Sequence, residues 1–463
     1  MDLVCSRRAF HAAEPHPQFV RLDPAATFRS NVDVRWLTTA GSRTRDLLTS
    51  ELPNEFIELR AEELDVVERD RKLDIVALVW TLILGWPAAA ERTLASLRRA
   101  YIGVAGHCIA RSGFYDRLSA ELLALMKSCL EGLLDGVRQR TSSYHGAVLR
   151  HFEDVVAIDS TIVRLHEMLR DVYPGCSDGV ASAKLDIVMN VAEASPRRVQ
   201  IAEGKQSDQA FWKRLGPWVE DKLLLFDLGY YQFNFFRRID RHGGRFISRL
   251  KDGANPTIVA NHLTCRGNSI GLVGRKLQDV VERLRRKRLD LTVEMDVQKR
   301  RYRGTRSTET CQFRVVGQRN EETGVYHLYI TNIDRDVLKV DDIAETYRLR
   351  WQIELLMKQL RSHARLGELP TEKEYVAKIL IYASILALLV SRAFLRELRL
   401  KEPGGFYPAH RFQAVFEAYA RPALHAVTAP RRDESVSIFD CIAREARDPN
   451  LIRERGMDAM YKL

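Results

Sequence analysis

Two aspartates fall where the hydrophobic pattern gives a charged group no easy place, and a glutamate lies on a helical stretch further on. The apolar run Val155 to Ile158 ends in Asp159-Ser160-Thr161, and Leu223 to Phe226 ends in Asp227-Leu228-Gly229-Tyr230. An aspartate just inside a buried strand end is costly unless it is paired or binds a cation. Either one alone reads as a turn or cap residue; two, on two strands of one unit, are more suggestive. The third carboxylate, Glu354, lies in the helical stretch Tyr347 to Arg361. At about 100° per residue, Tyr347, Arg350, Glu354 and Arg361 fall within an arc of roughly 60°. Leu349, Ile353, Leu356 and Leu360 take the opposite side, so the expected helix packs its leucines on a sheet and turns the polar face away. Periodicity alone explains that face more simply as a solvated, salt-bridged surface.

Other chemistries lack support. Gly175-Cys176-Ser177-Asp178-Gly179 matches a serine-nucleophile pattern, but Pro174 precedes it and a β-like run follows, where strand, serine and helix are required. No phosphate-binding lysine loop and no H-E-x-x-H occurs. The seven cysteines are scattered without a C-x-x-C pair, which argues against a disulfide framework or zinc finger and for a reducing cytoplasm. Met1 to Phe10 carries Arg7 and Arg8 and no following apolar core, so no secretory signal is expected. Ile75 to Trp86 and Ile379 to Val390 are short of the roughly 20 residues a bilayer needs, and read as buried helices with no membrane partner.

The elements that must position these residues follow from the same patterns. With 463 residues, 46% hydrophobic and 29% charged, the chain has ordinary globular values and room for several domains. Residues 1–50 read as an irregular arm. Residues 51–140 read as an α-helical domain, with Ser112 as a candidate cap and a helical hairpin near Gly103 that could read DNA as a helix-turn-helix or serve as a scaffold. Thr141 to Gly146 is a polar linker. From 150 to 252 the order β, β, β, α, β, α, β implies a mixed sheet covered by helices. Residues 253–334 alternate with period two in Leu291 to Gln298 and Tyr326 to Ile330, and read as a separate β-rich insertion. Residues 335–400 hold one long helix from about Asp341, broken at Gly367 and Pro370, and then the apolar helix; 401–463 form a helical tail set off by Pro403-Gly404-Gly405.

The formal charge is +11, the sign of a protein with an anionic partner. Between Arg275 and Arg319 there are 14 basic and six acidic side chains, so this one module carries most of the excess. With Tyr302 interleaved, it favours contact with phosphates over a merely solvated face.

Taken together, the residues resemble the DDE transposases of bacterial insertion sequences, specifically insertion-sequence family four. Tyr347, Arg350 and Glu354 match the signature Y-x-x-R-x-x-x-E-x-x-x-x-x-x-K at the right spacing; its final Lys is Arg361 here, which keeps the charge. Asp227-Leu228-Gly229-Tyr230 is similar to the second-aspartate motif of that family, and Asp159-Ser160-Thr161 to its first. The resemblance covers about residues 50 to 400.

It implies an α/β, ribonuclease-H-like catalytic core interrupted by a β-rich insertion. It also implies Asp159, Asp227 and Glu354 as ligands of two Mg²⁺ (or Mn²⁺) ions, with Tyr347, Arg350 and Arg361 against DNA. The expected protein binds the terminal inverted repeats of its element as a synaptic homodimer, cuts double-stranded DNA and joins the 3′ ends to target DNA, in the bacterial cytoplasm at the nucleoid. A nuclease without strand transfer, or a non-catalytic DNA-binding descendant, is the alternative.

Overall fold

The computed structural model describes residues 43–448, except 68–72, 90, 92, 140–147, 214, 266–267, 299–307, 363–365, 367–368, 370, 403–404 and 430–436. Seven helices come first: α1 (Arg43–Glu51), α2 (Asn54–Glu63), α3 (Ile75–Trp80), α4 (Trp86–Ala88), α5 (Leu94–Ala105), α6 (Arg111–Asp116) and α7 (Ala120–Gln139). Asp74 and Thr93 start α3 and α5 by accepting the Ala77 and Ser96 amides, and Gly106, at φ 71°, ends α5 in the left-handed region that glycine tolerates. Ser119, rather than Ser112, begins α7: its hydroxyl accepts the Leu122 amide at 3.3 Å. The apolar helix that begins at Ile75 runs on through Gly85-Trp86-Pro87. A π-helical turn, Thr81–Gly85, carries the buried run on to Ala88, with Pro87 in the first turn of α4, where no amide is needed.

The remaining helices are α8 (Asp208–Phe211), α9 (Phe233–Arg241), α10 (Leu277–Val281), α11 (Val340–Arg348), α12 (Trp351–Ser362), α13 (Glu374–Lys401), α14 (Ala409–Thr428) and α15 (Ile438–Ala446). α13 is long and apolar enough to cross a membrane by length and composition, but 89% of its apolar window is buried within the protein, where it packs on α7 and α1.

Two boundaries expected from the sequence change. Residues 43–51 are helical, with Leu48 fully buried, so the expected irregular arm ends before them; its earlier part, like the linker 141–146, lies outside the described residues. The C-terminal segment is not set apart either. α14 packs on α1, α3, α5 and the π turn, and Phe412, Phe416 and Phe439 join the same core as Leu82 and Leu386. One apolar face had no partner within its own segment, and the two segments bury theirs together.

The strands are β1 (Asp154–Arg164), β2 (Ser182–Asn190), β3 (Ser195–Glu203), β4 (Lys222–Phe226), β5 (Arg245–Arg249), β6 (Thr257–Asn261), β7 (Thr264–Cys265), β8 (Asn268–Ser269), β9 (Arg288–Gln298), β10 (Thr308–Arg319) and β11 (Tyr326–Thr331). All but the β7–β8 ladder form one mixed sheet in the order β3-β2-β1-β4-β5-β11-β10-β9-β6. β1, β2 and β3 pair antiparallel; β1, β4 and β5 run parallel. Residues 253–334 are therefore not a separate module. β11 pairs antiparallel with β5 through Tyr329↔Arg249, Ile330↔Ser248 and Thr331↔Ile247, which covers an edge the core would otherwise expose.

The sheet has a core on each face. Val156, Ile158, Leu224 and Phe226 face an aromatic cluster with Phe235, Phe236 and Phe246. Val155, Ala157, Leu223 and Leu225 face the larger core that includes Ile353, Leu356 and Leu360 of α12.

Candidate active site

Parallel pairing brings the two aspartates together. Ile158 of β1 is in register with Phe226 of β4, so Asp159 and Asp227 are each the next residue on adjacent strands, whose spacing is about 4.8 Å. Side chains alternate along a strand, so the residue after Ile158 or Phe226 turns to the face of Ala157 and Leu225, which is the face α12 covers. α12 packs on β1 with Glu354 in its first turn.

The titration of Asp159 is shifted by its surroundings. Burial pushes its carboxyl up to about 6; the Ser160 amide opposes this, Asp227 adds to it, Arg350 opposes it and Glu354 adds to it. Each of those groups acts through space, so the four charges share one site. The Ser160 N–H donates to Asp159 Oδ1 at 2.8 Å, and the Gly229 N–H donates to Asp227 Oδ1 at 2.9 Å. Asp227 also caps the short turn Leu228–Tyr230.

The single long helix expected through Tyr347 to Arg361 is two helices. Leu349 and Arg350 form a tight turn between α11 and α12, with amides bonded three residues back to Thr346 and Tyr347. That turn resets the helical wheel. Tyr347 does not face solvent: it is buried against Tyr329, and its hydroxyl donates to the Phe226 carbonyl at 3.4 Å. It thereby props the strand end that carries Asp227. Arg350 lies 5.7 Å over the Tyr347 ring and donates to Glu354 Oε1 at 2.5 Å. Arg361 is exposed in the last turn.

Within α12 the partly or fully exposed positions are Trp351, Glu354, Leu355, Lys358, Arg361 and Ser362, a stripe at three- and four-residue spacing. Trp351 is 56% exposed, an unusual position for a large aromatic. The sequence reading missed Trp351 and Lys358 because it followed the signature residues alone; the wheel sets them about 60° and 40° from Glu354.

The basic module is less free than its composition implies. Lys287 pairs with Glu321 and Arg288 with Asp341, while Arg286 donates to the Leu263 carbonyl at 3.0 Å. Lys299 to Arg306, which holds Tyr302 and five of the basic residues, lies outside the described residues.

The donor set suits a hard divalent cation, because the Asp227 and Glu354 carboxylates both act against the negative charge of a desolvated Asp159. Among the described residues no three such side chains are gathered closely enough to ligate an ion. Glu354 is instead turned to the Arg350 guanidinium.

A mixed sheet with Asp159 midway along β1, which runs on to Arg164 rather than ending at Asp159 as its apolar run suggests, with Asp227 at the end of the neighbouring parallel β4 and a glutamate above them on a helix, defines an acidic site on an α/β scaffold. The chain belongs to the family described as Transposase DDE domain, which matches residues 150–390. It is similar to the transposase for insertion sequence element IS231B of Bacillus thuringiensis subsp. berliner, 21% identical over 383 residues that cover 76% of this chain and 79% of that relative. It is also similar to the transposase for insertion sequence element IS1151 of Clostridium perfringens, 24% identical over 271 residues, 52% of this chain and 57% of that one. Among solved structures it is similar to piggyBac transposase in a synaptic complex with hairpin DNA, at 9% identity and a TM-score of 0.48, covering 90% of this chain and 84% of that chain.

Proposed function

We propose that this DDE transposase is encoded by an insertion sequence of family four, that it binds the terminal inverted repeats of that element as a synaptic homodimer in the bacterial cytoplasm, and that it cuts the DNA and joins the 3′ ends to target DNA. The observation that carries the reading is the Ile158↔Phe226 register, which sets Asp159 and Asp227 side by side under Glu354. The spacing of Tyr347, Arg350 and Glu354 supports the family assignment. In this reading β1 to β5 form a ribonuclease-H-like core, and the strands between Asp227 and Glu354 are an insertion that extends its sheet.

Asp159, Asp227 and Glu354 would hold Mg²⁺ or Mn²⁺. Two such ions, when bound, activate the attacking oxygen and stabilise the leaving one in phosphodiester transfer. The chain's own residues do the rest. Ser160 and Gly229 aim the two aspartates through their amides. Arg350 pairs with Glu354 and would be free to meet a phosphate if Glu354 held an ion. Lys358 and Arg361 follow the DNA backbone along α12, and Tyr347 acts from beneath as a positioning residue.

The test uses purified protein, Mg²⁺ and a duplex ending in the inverted repeats that flank the gene. Cleavage at the repeat ends, followed by joining of the 3′ ends to a plasmid, supports the proposal. Cleavage without joining would mean a nuclease, and binding alone a non-catalytic descendant.

A further inference from the structure

One carboxylate outside the Asp, Asp, Glu set bonds one of the residues that aim the aspartates and lies close beside the other. Asp208 opens α8, and its Oδ1 accepts from the Ser160 hydroxyl at 2.6 Å and from Lys184 Nζ at 3.1 Å. Its Oδ2 lies against Gly229, where an added Cβ would sit 3.0 Å from Asp208 Oδ2 and 3.1 Å from Asp227 Oδ1. Ser160 and Gly229 are the residues whose amides bond Asp159 and Asp227. Glycine at 229 thus leaves room for both carboxylates to close on one turn.

We propose that Asp208 is a positioning residue that holds Ser160 and the Gly229 turn in mutual register, and so fixes the separation and aim of Asp159 and Asp227 for divalent ions. The inference rests on those two being ligands. Adding a fourth acid near three others is unfavourable unless it is compensated, and Lys184 supplies the compensation. Lys184 is only 12% exposed and Asp208 27%, so solvent screens the pair weakly. A bond from a hydroxyl to a charged carboxylate is short and strong, which suits a brace. Outer-shell partners of this kind set ligand orientation, and losing one typically costs about 10- to 100-fold in metal affinity.

The experiment measures Mn²⁺ binding to the full chain without DNA by titration calorimetry, together with the Mn²⁺ concentration giving half-maximal end cleavage. Asp208→Ala should weaken Mn²⁺ binding roughly tenfold and raise the half-maximal concentration in step. Asp208→Asn keeps an oxygen acceptor for Ser160 and should recover binding to within about threefold of wild type. In a Ser160→Ala background, Asp208→Ala should have a smaller effect than in wild type, because the brace is already cut. Mn²⁺ affinity within about twofold of wild type for Asp208→Ala, or an undiminished effect in the Ser160→Ala background, would overturn the proposal. Should Asp208→Ala fail to fold, Ser160→Ala alone must show the weakened binding. Asp159→Asn separates the two ideas: if it leaves Mn²⁺ binding intact, the carboxylate site itself is misassigned, whereas if it abolishes binding while Asp208→Ala does not, only the brace falls.

Discussion

Asp159 holds its proton more tightly in the folded chain, at about 6, than in the unfolded chain at 3.8. The sign follows from linkage. Below about pH 4 both states are protonated and Asp159 costs nothing. As pH rises toward 6 the folded state must release a proton it holds more strongly, so stability falls, and above 6 the penalty is constant at no more than about 3 kcal/mol. In chelator at pH 8, Asp159→Asn should therefore be more stable than wild type to urea by roughly 1–3 kcal/mol, and the two should converge near pH 4. Equal stability at pH 8 would show that Asp159 is not desolvated as described. Mg²⁺ should stabilise wild type but not the variant. At the same scale, Asp159→Asn, Asp227→Asn and Glu354→Gln should each abolish end cleavage while end binding survives, since phosphate contacts come from basic residues elsewhere. A variant that keeps more than about a tenth of wild-type cleavage would remove its residue from the ligand set.

At the scale of the element, the turn at Leu349-Arg350 decides which side chains α12 offers. Leu356 is 1% exposed on the sheet side and Arg361 is exposed on the other. Leu356→Ala should destabilise the protein by roughly 2–5 kcal/mol. Arg361→Ala should leave the melting curve within about 0.5 kcal/mol of wild type while lowering end cleavage, and Arg361→Lys should be tolerated because phosphate accepts a point charge. The same element makes a comparison possible with the basic module. Lys287 and Arg288 already face acids, whereas no ion pair occupies Lys358 or Arg361 among the described residues. Replacing Lys358 and Arg361 together by Ala should make the salt slope of DNA binding shallower by about two, and replacing Lys287 and Arg288 should change it less. The reverse ranking, read from affinities at several salt concentrations, would place the DNA on the module rather than on α12.

Across the whole molecule, a buried pair joins the extended sheet to the helices of the site. Arg314 of β10 bonds Asp290 of β9 at 2.8 and 3.0 Å and donates to the carbonyls of Ile333 and Leu338, just before α11. Both side chains are almost fully buried. Arg314→Met leaves Asp290, among the described residues, with the partly exposed Arg335 as its cation and strips the loop of a donor, so it should cost roughly 3–5 kcal/mol in urea unfolding. A loss under about 1 kcal/mol would mean the pair merely decorates the junction. Because that loop leads directly into the helix pair carrying Arg350 and Glu354, cleavage should fall with stability.

How much of this was legible in the residues differs from place to place. The strand, helix and strand order from Val155 to Leu250 was readable, because branched and aromatic runs separated by capped polar stretches are local signals. Asp159 and Asp227 stood out by their conflict with apolar runs, and Glu354 by its spacing from Tyr347 and Arg350. The break at Leu349-Arg350 was not readable, since nothing in the local composition forbids a continuous helix; packing against β1 and the bond from Tyr347 to Phe226 impose it. Nor could local patterns show that β11 joins β5, or that α14 closes on α1, because an unpaired edge and an apolar face specify the need for a partner but not its identity. Asp208 makes the same point in one residue. Its sequence marks only a helix start, and its bond to Ser160 and place beside Gly229 exist because β1, the Asp227 turn and α8 converge. Sequence by itself determined the resemblance to DDE transposases, the candidate carboxylates and the period of each element, all of which are local chemistry. Tertiary structure alone decided which carboxylates meet, which arginine is free and which tyrosine is buried, because those are distances between residues far apart in the chain.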